Sequence, residues 1–514
     1  MKESKVRLAV CIIMMLFSVV GVFAGGNKES AASSAEITFK DGWTLAEAAA
    51  PWKGETLRFI GEALPPLEAL ADVKEEFEAI TGVKVEIEQY GQAEVIEKTM
   101  ADFVGGTRIY DLIISPHRQL GAYVENDWIL PLGEFLNNNK LRDPDFNIEG
   151  GALLDEYYWH EVSWYNNKAY GLPFHFITMY LWYRYDIFEE ASEIAAFKRA
   201  YGYDLPNPPV TMKEYYDVAE FFTREKGEKL AGKVLDRNFY GNTIQGKRHV
   251  SSWYDFLNFL YPFGGRELYI EKGSDYGKIG INSREAVKAM EYYKSLVPFC
   301  PPGVLTFGWD ESQAAMQQDI AVMGIEWDDA VGAVENPKES LVAGKIAYSG
   351  PPIEVEKAVQ VEGWSYLIPK KSNKPELAWL FIQWAMGDLT QKKQMEIGGQ
   401  SAVRSVYDDA DIAKLPYTPT AVYLKTRGAE VLGIREKGDA TGWGVPRRYM
   451  EAINPATNTT EVTLVPKPTF PEQEELVEAI VLSISNAISG EMTAKEAMDQ
   501  TADVFKQVLG DKVD

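Results

Sequence analysis

The residues of this chain best suited to chemistry are carboxylates set beside aromatic rings. Glu326-Trp327-Asp328 puts two acids against one indole, Trp253-Tyr254-Asp255 puts an acid after two rings, and Trp364 follows Glu362-Gly363. Acids beside an indole are costly to bury unless something binds them, so the 326–328 triplet points to a ligand. The 253–255 triplet sits in an aromatic stretch of helical pattern, where such a stripe also serves as ordinary core. Glu62 and His117 each follow an apolar strand, and loop positions of that kind carry function more often than strand interiors do. His117 could donate to a hydroxyl, whereas His175 lies inside an aromatic strand and has a satisfied core histidine as its plain alternative. Trp309, Gln400, Arg404 and Trp443 are further loop candidates. Two carboxylates suffice for glycoside hydrolysis, provided one has a raised pKa, so a secreted glycosidase is a rival reading.

Other chemistries have no residues to carry them. His117, His160, His175 and His249 never fall at metal-ligand spacing, and Cys300 has only Cys11, in the leader, as a second thiol. No zinc site is signalled. There is no Gly-x-Ser-x-Gly elbow and no phosphate loop, and no cofactor is expected.

The N-terminal segment sets the expected compartment. Lys2, Lys5 and Arg7 precede an apolar run over residues 8–20, and Val22-Phe23-Ala24 offers a small residue for signal-peptidase cleavage after Ala24. Cys11 lies within the apolar run rather than after it, with a valine before it, and does not fit a lipid-anchoring site. The expected location is the periplasm. The formal charge of −24 becomes about −26 once the net +2 of residues 1–24 is removed. A protein this acidic repels nucleic acids and anionic lipid surfaces, so neither is expected as a partner.

Elements that could position the acids and rings follow from periodicity. Residues 55–60 (ETLRFI), 83–88 (VKVEIE) and 110–115 (YDLIIS) read as strands. The helices between them are amphipathic and stop at Thr81-Gly82 and Gly105-Gly106. A β-α-β-α-β opening predicts an open α/β sheet that holds ligand at the carboxyl ends of its strands. Residues 169–190 (AYGLPFHFITMYLWYRYDIFEE) predict a long buried strand, then a helix capped by Asp186. Residues 25–51 read as a flexible tether, and 514 residues require at least two domains.

The order of these motifs resembles the extracellular solute-binding proteins of ABC importers, the cluster with maltose- and other sugar-binding members. The resemblance runs from about Glu55 to Met386. It rests on Thr81-Gly82-Val83-Lys84-Val85, on Tyr110-Asp111-Leu112-Ile113-Ile114 with Trp128-Ile129-Leu130-Pro131-Leu132, and on Tyr170-Gly171-Leu172-Pro173 with Tyr183 and Asp186-Ile187-Phe188. Met316-Gln317, Met323-Gly324 and Gly363-Trp364-Ser365-Tyr366-Leu367-Ile368-Pro369 complete it.

The resemblance implies a two-lobed periplasmic-binding-protein fold with ligand in an interlobe cleft. It implies a first lobe over residues 52–168 and 305–350 and a second over 169–304 and 351–514, with residues 345–352 as a return crossing. It further implies a non-enzymatic monomer that hands a neutral mono- or oligosaccharide to ABC permease subunits by hinge closure. Trp364 is placed against the ligand by that resemblance. The physical requirement of such a cleft is aromatic faces for the C–H faces of a pyranose and paired polar groups for its hydroxyls. A ligand-binding module for a membrane sensor would share this fold and cleft and differ only in its partner.

Overall fold

The structure, a computed structural model, describes residues 42–144, 146, 159, 163–270, 276–334, 337–387, 390–392, 402–403, 463–465 and 469–513. The leader, His160, Gln400, Arg404 and Trp443 lie outside the described residues. Folded sequence starts before Trp52. Thr44 caps a short helix, α1 (Leu45–Ala48), by accepting from the Glu47 N–H. Ala48 and Ala49 carry so little side chain that they lie flush against Leu380, flanked by Trp43, Leu45 and Trp52. Residues 43–49 are therefore part of the packed structure rather than tether.

The opening series is β1 (Thr56–Glu62), α2 (Pro65–Thr81), β2 (Lys84–Tyr90), α3 (Gln92–Gly105) and β3 (Leu112–Pro116). Prolines at the first positions of α2 suit a helix start, where no amide is missed. Gly82 ends α2 at φ 72°, a left-handed conformation that only glycine adopts without strain. β1 pairs in parallel with β2 and with β3, so Glu62, Tyr90 and Pro116 end at one edge of the sheet.

The long strand β4 (Gly171–Arg184) joins this sheet to a second body. That body contains α4 (Met212–Phe222), α5 (Val250–Leu260), α6 (Arg284–Ser295), α7 (Trp309–Gln317), β5 (Met323–Trp327) and β6 (Ile346–Ser349). After it come β7 (Ala358–Leu367), α8 (Pro375–Ala385), α9 (Gln473–Ser489) and α10 (Ala494–Leu509). The first part of β4, Gly171 to Thr178, pairs antiparallel with β7. Its second part, from Met179, pairs with β5 and with β6. β7 in turn pairs with β3, giving the order β5–β4–β7–β3–β1–β2. Two α/β lobes thus share β4 and β7. The return crossing expected at residues 345–352 is supplied by β7, because residues 346–349 form β6 against the far end of β4.

Each lobe has its own core. Phe381 of α8 packs on Phe59 of β1 and Phe77 of α2, with ring centroids 5.2 and 5.1 Å apart. In the other lobe α5 is buried on all sides from Ser251 to Leu260, against α6, α9 and β7. Asp186 does not cap a helix. It lies inside the turn Tyr185–Phe188 and holds the Arg184 guanidinium at two points, 2.7 and 2.8 Å, a geometry that suits the flat fork of arginine. No helix among the described residues is long and apolar enough to cross a membrane.

Candidate functional site: an acidic, aromatic cleft between the lobes

The carboxyl ends of β1 and β2 face the second lobe across a cavity of about 670 Å³. One wall comes from the turns after those strands: Glu62, Ala63 and Leu64, then Glu68 in the first turn of α2, and Gly91-Gln92 where α3 begins. The opposite wall comes from Tyr254 of α5, from Trp309, Asp310 and Gln313 of α7, and from Glu326-Trp327 at the end of β5. Asp329, Ala330, Ala333 and Glu339 extend that wall. The floor is made by the two shared strands. Side chains alternate along a strand, and cross-strand partners share a face. Glu362 pairs with Ile177 and Trp364 with His175, so Glu362, Trp364 and Ile177 all look into the cavity. The register shifts between Trp364 and Ser365, the kind of bulge that re-aims a side chain beside a site.

Several acids here are held in unusual states. Burial is the main force that pushes the Glu62 carboxyl up to about 8; the charges of Asp329 and Asp310 on the far wall add to it, while a 3.4 Å hydrogen bond from Gln92 and the charge of Arg118 oppose it. Burial also takes Asp329 up to about 6 against its backbone amide contacts. Glu326 is pushed well above the usual carboxylate range by burial, although the Ser312 hydroxyl and the Gln245 amide donate to it. Glu362 is paired with His117 in an almost fully buried contact.

Beneath the cleft, Arg118 connects its two walls. Its Nε donates to Glu474 at 2.7 Å, one terminal nitrogen to the Tyr254 hydroxyl at 2.9 Å, and the other to Gln92 Oε1 at 3.0 Å. Arginine suits this place because one planar group offers five donors in fixed directions.

Of the residues singled out by sequence, the structure gathers Glu62, Tyr254, Trp309, Glu326, Trp327 and Trp364 around the cavity. Four others lie elsewhere. His117 does not line the cavity; it is buried, with its Nδ1 2.5 Å from Glu362 Oε1. His175 is fully buried next to Trp364, ring centroids 6.5 Å apart, and burial lowers its pKa to about 3. Trp253 points into the core, with its indole N–H donating to Glu267 at 3.1 Å. Asp255 is buried too, accepting from the Gln245 N–H and the Tyr293 hydroxyl at 2.9 and 2.6 Å. The backbone of Asp328 follows Trp327 directly, its side chain lies outside what the structure describes, and Arg404 lies outside the described residues. Gln92, Asp310, Gln313, Asp329 and Glu362 were missed. Gln92 could have been found, since it stands two residues past the end of β2, whose last residue pairs with Glu62 at the end of β1.

Comparison with known proteins places this architecture. A 394-residue match, 24% identical and covering 75% of this chain and 81% of the other, is to a protein of Sinorhizobium fredii named as a probable amino-acid ABC transporter periplasmic-binding protein, y4oP. The erythritol/L-threitol-binding protein of Mycolicibacterium smegmatis is 22% identical over 415 residues, 78% of this chain and 80% of that one. A solved ABC-transporter solute-binding protein from Agrobacterium radiobacter K84, crystallised with ribitol, superposes with a TM-score of 0.66 at 22% identity, over 89% of this chain and 99% of that one. The model of the bacterial extracellular solute-binding proteins matches residues 64–392, which include both strands of the floor and nearly all of both walls. This chain belongs to the bacterial extracellular solute-binding protein family.

Proposed function

We propose that this protein is the binding component of an ABC importer, that it captures a carbohydrate (a sugar or a sugar alcohol) in the interlobe cleft, and that it passes the solute unchanged to a membrane permease. The supporting observation is the cavity itself: aromatic rings of Trp309, Trp327, Trp364 and Tyr254 share it with a dense set of hydrogen-bonding side chains. Rings stack on the C–H faces of a polyhydroxyl compound while polar groups satisfy its hydroxyls. The relative named for erythritol and L-threitol, and the solved neighbour crystallised with ribitol, accord with this reading. An α-amino acid, suggested by the name of the Sinorhizobium fredii relative, would bring a carboxylate into a cavity lined by acids and by no described Lys or Arg.

In this reading the chain is exported by residues 1–24, works in the periplasm as a monomer, and catalyses nothing. Glu62, Gln92, Tyr254, Trp309, Trp327 and Trp364 bind the solute, and β4 and β7 bend as the lobes close. A thermal-shift screen against sugars, sugar alcohols, sugar phosphates and peptides tests it. A ligand at one hundred times its Kd adds about 2.7 kcal/mol to stability, seen as a raised Tm. A shift from a carbohydrate that is recovered intact supports the proposal. A shift from phosphates or peptides alone, or consumption of the sugar, contradicts it.

A further inference from the structure

The cleft has a charge imbalance that hydroxyl recognition does not require. Glu62 and Glu68 line one wall, Asp310, Glu326, Asp329 and Glu339 the other, and no described Lys, Arg or His lines either. The nearest guanidinium, Arg118, is turned to Glu474, Gln92 and Tyr254. An ionised carboxylate only accepts hydrogen bonds, whereas a hydroxyl both donates and accepts. A neutral polyol gives these acids no charge to pair with and leaves Glu62, which burial holds mostly protonated at pH 7, un-ionised, whereas an arriving cation favours its ionised form. An ammonium group brings three donors, no acceptor and a positive charge, and the flat faces of indoles attract the same charge. Opposition across the gap is the second feature. Glu62 lies at the end of β1, Asp310 and Asp329 stand on the opposite lobe, and their mutual repulsion is felt at Glu62. Acids facing each other from two lobes leave a place for a cation whose arrival would draw the lobes together.

We propose that the solute carries a protonated amine, seated between Glu62 on one lobe and Asp310 and Asp329 on the other, so that the substrate class is amino-substituted sugars or amino-substituted sugar alcohols. This rests on the carbohydrate reading above, which supplies the ligand; the acids decide its charge.

Matched ligands separate the two ideas. D-glucosamine, D-glucose and N-acetyl-D-glucosamine form one set, and 1-amino-1-deoxysorbitol with sorbitol forms a second. Both are titrated into the full protein at pH 7 and low salt. The amine of a set should bind at least about tenfold tighter than its hydroxyl parent and its acetamide, with the advantage shrinking as salt is added. Glu62→Gln and Asp329→Asn, one on each wall and each checked by its thermal melt, should each reduce the ratio of amine to parent affinity. If the parent sugar binds as tightly as the amine, or the ratio survives both substitutions, the charge proposal is overturned and the carbohydrate reading stands. If no member of either set binds and a screen of other sugars, with and without amines, is also silent, both fall.

Discussion

Trp253→Ala should lower the stability of the protein by about 3–5 kcal/mol, among the larger losses available to a single truncation. The indole is wholly buried, 4.7 Å from the Tyr254 ring, and its N–H is spent on Glu267. Removing it leaves a void that the surrounding helices can fill only in part, and it takes away one of the hydrogen bonds at Glu267. The urea midpoint followed by circular dichroism reads this effect. A loss under about 1 kcal/mol joined to a large loss of ligand affinity would show that the ring belongs to the cleft and not to the core.

Asp255→Asn should change how stability depends on pH. Asp255 titrates near 3.9 when unfolded, and burial pushes it up to about 7 in the folded protein, against the hydrogen bonds from Tyr293 and Gln245. Its folded form therefore holds a proton that its unfolded form has released between those values. The stability it contributes is present below the lower value and is lost as pH rises through the upper one, by about 1.4 kcal/mol per pH unit. An asparagine keeps the oxygen that accepts from Gln245 and Tyr293 but has no proton to lose. The variant should gain on the wild type from pH 4 to 7, with a final difference on the order of 4 kcal/mol. Denaturation curves at pH 4, 5.5 and 7 that run parallel for the two proteins would contradict this assignment.

These two residues also show where the sequence stops being readable. Trp253, Tyr254 and Asp255 are successive on α5, and only Tyr254 reaches the cavity. Successive helical positions differ by about 100°, so an amphipathic pattern normally separates core from site. α5 is buried on every side from Ser251 to Leu260, and an evenly apolar helix carries no such pattern. The alternating strands and glycine stops of the first lobe were legible because each is a local signal, and the placement of Glu62 at the end of β1 follows from them. Arg118 is the opposite case. Its partner Glu474 is 356 positions away and its other partners sit on α3 and α5, so nothing beside it in the chain announces its role. Asp310 and Asp329 likewise enter the site only because β4 and β7 bring the two lobes face to face. Thr44 and the alanines after it look like linker by composition, and their order comes from Leu380, far along the chain.

The most direct test of the central claim, capture of a carbohydrate between the two walls, is a calorimetric titration of the best carbohydrate from the screen into the wild type and into Trp309→Ala. Trp309 is the partly exposed ring at the start of α7, lining the wall at the edge of the second lobe's core, so the variant's thermal melt is checked beside its affinity. The account predicts one site per chain, ligand recovered chemically intact, and an affinity at least about tenfold weaker in the variant, the value of a lost aromatic stacking face. Equal affinities in the two proteins, or release of a hydrolysed sugar, would contradict it.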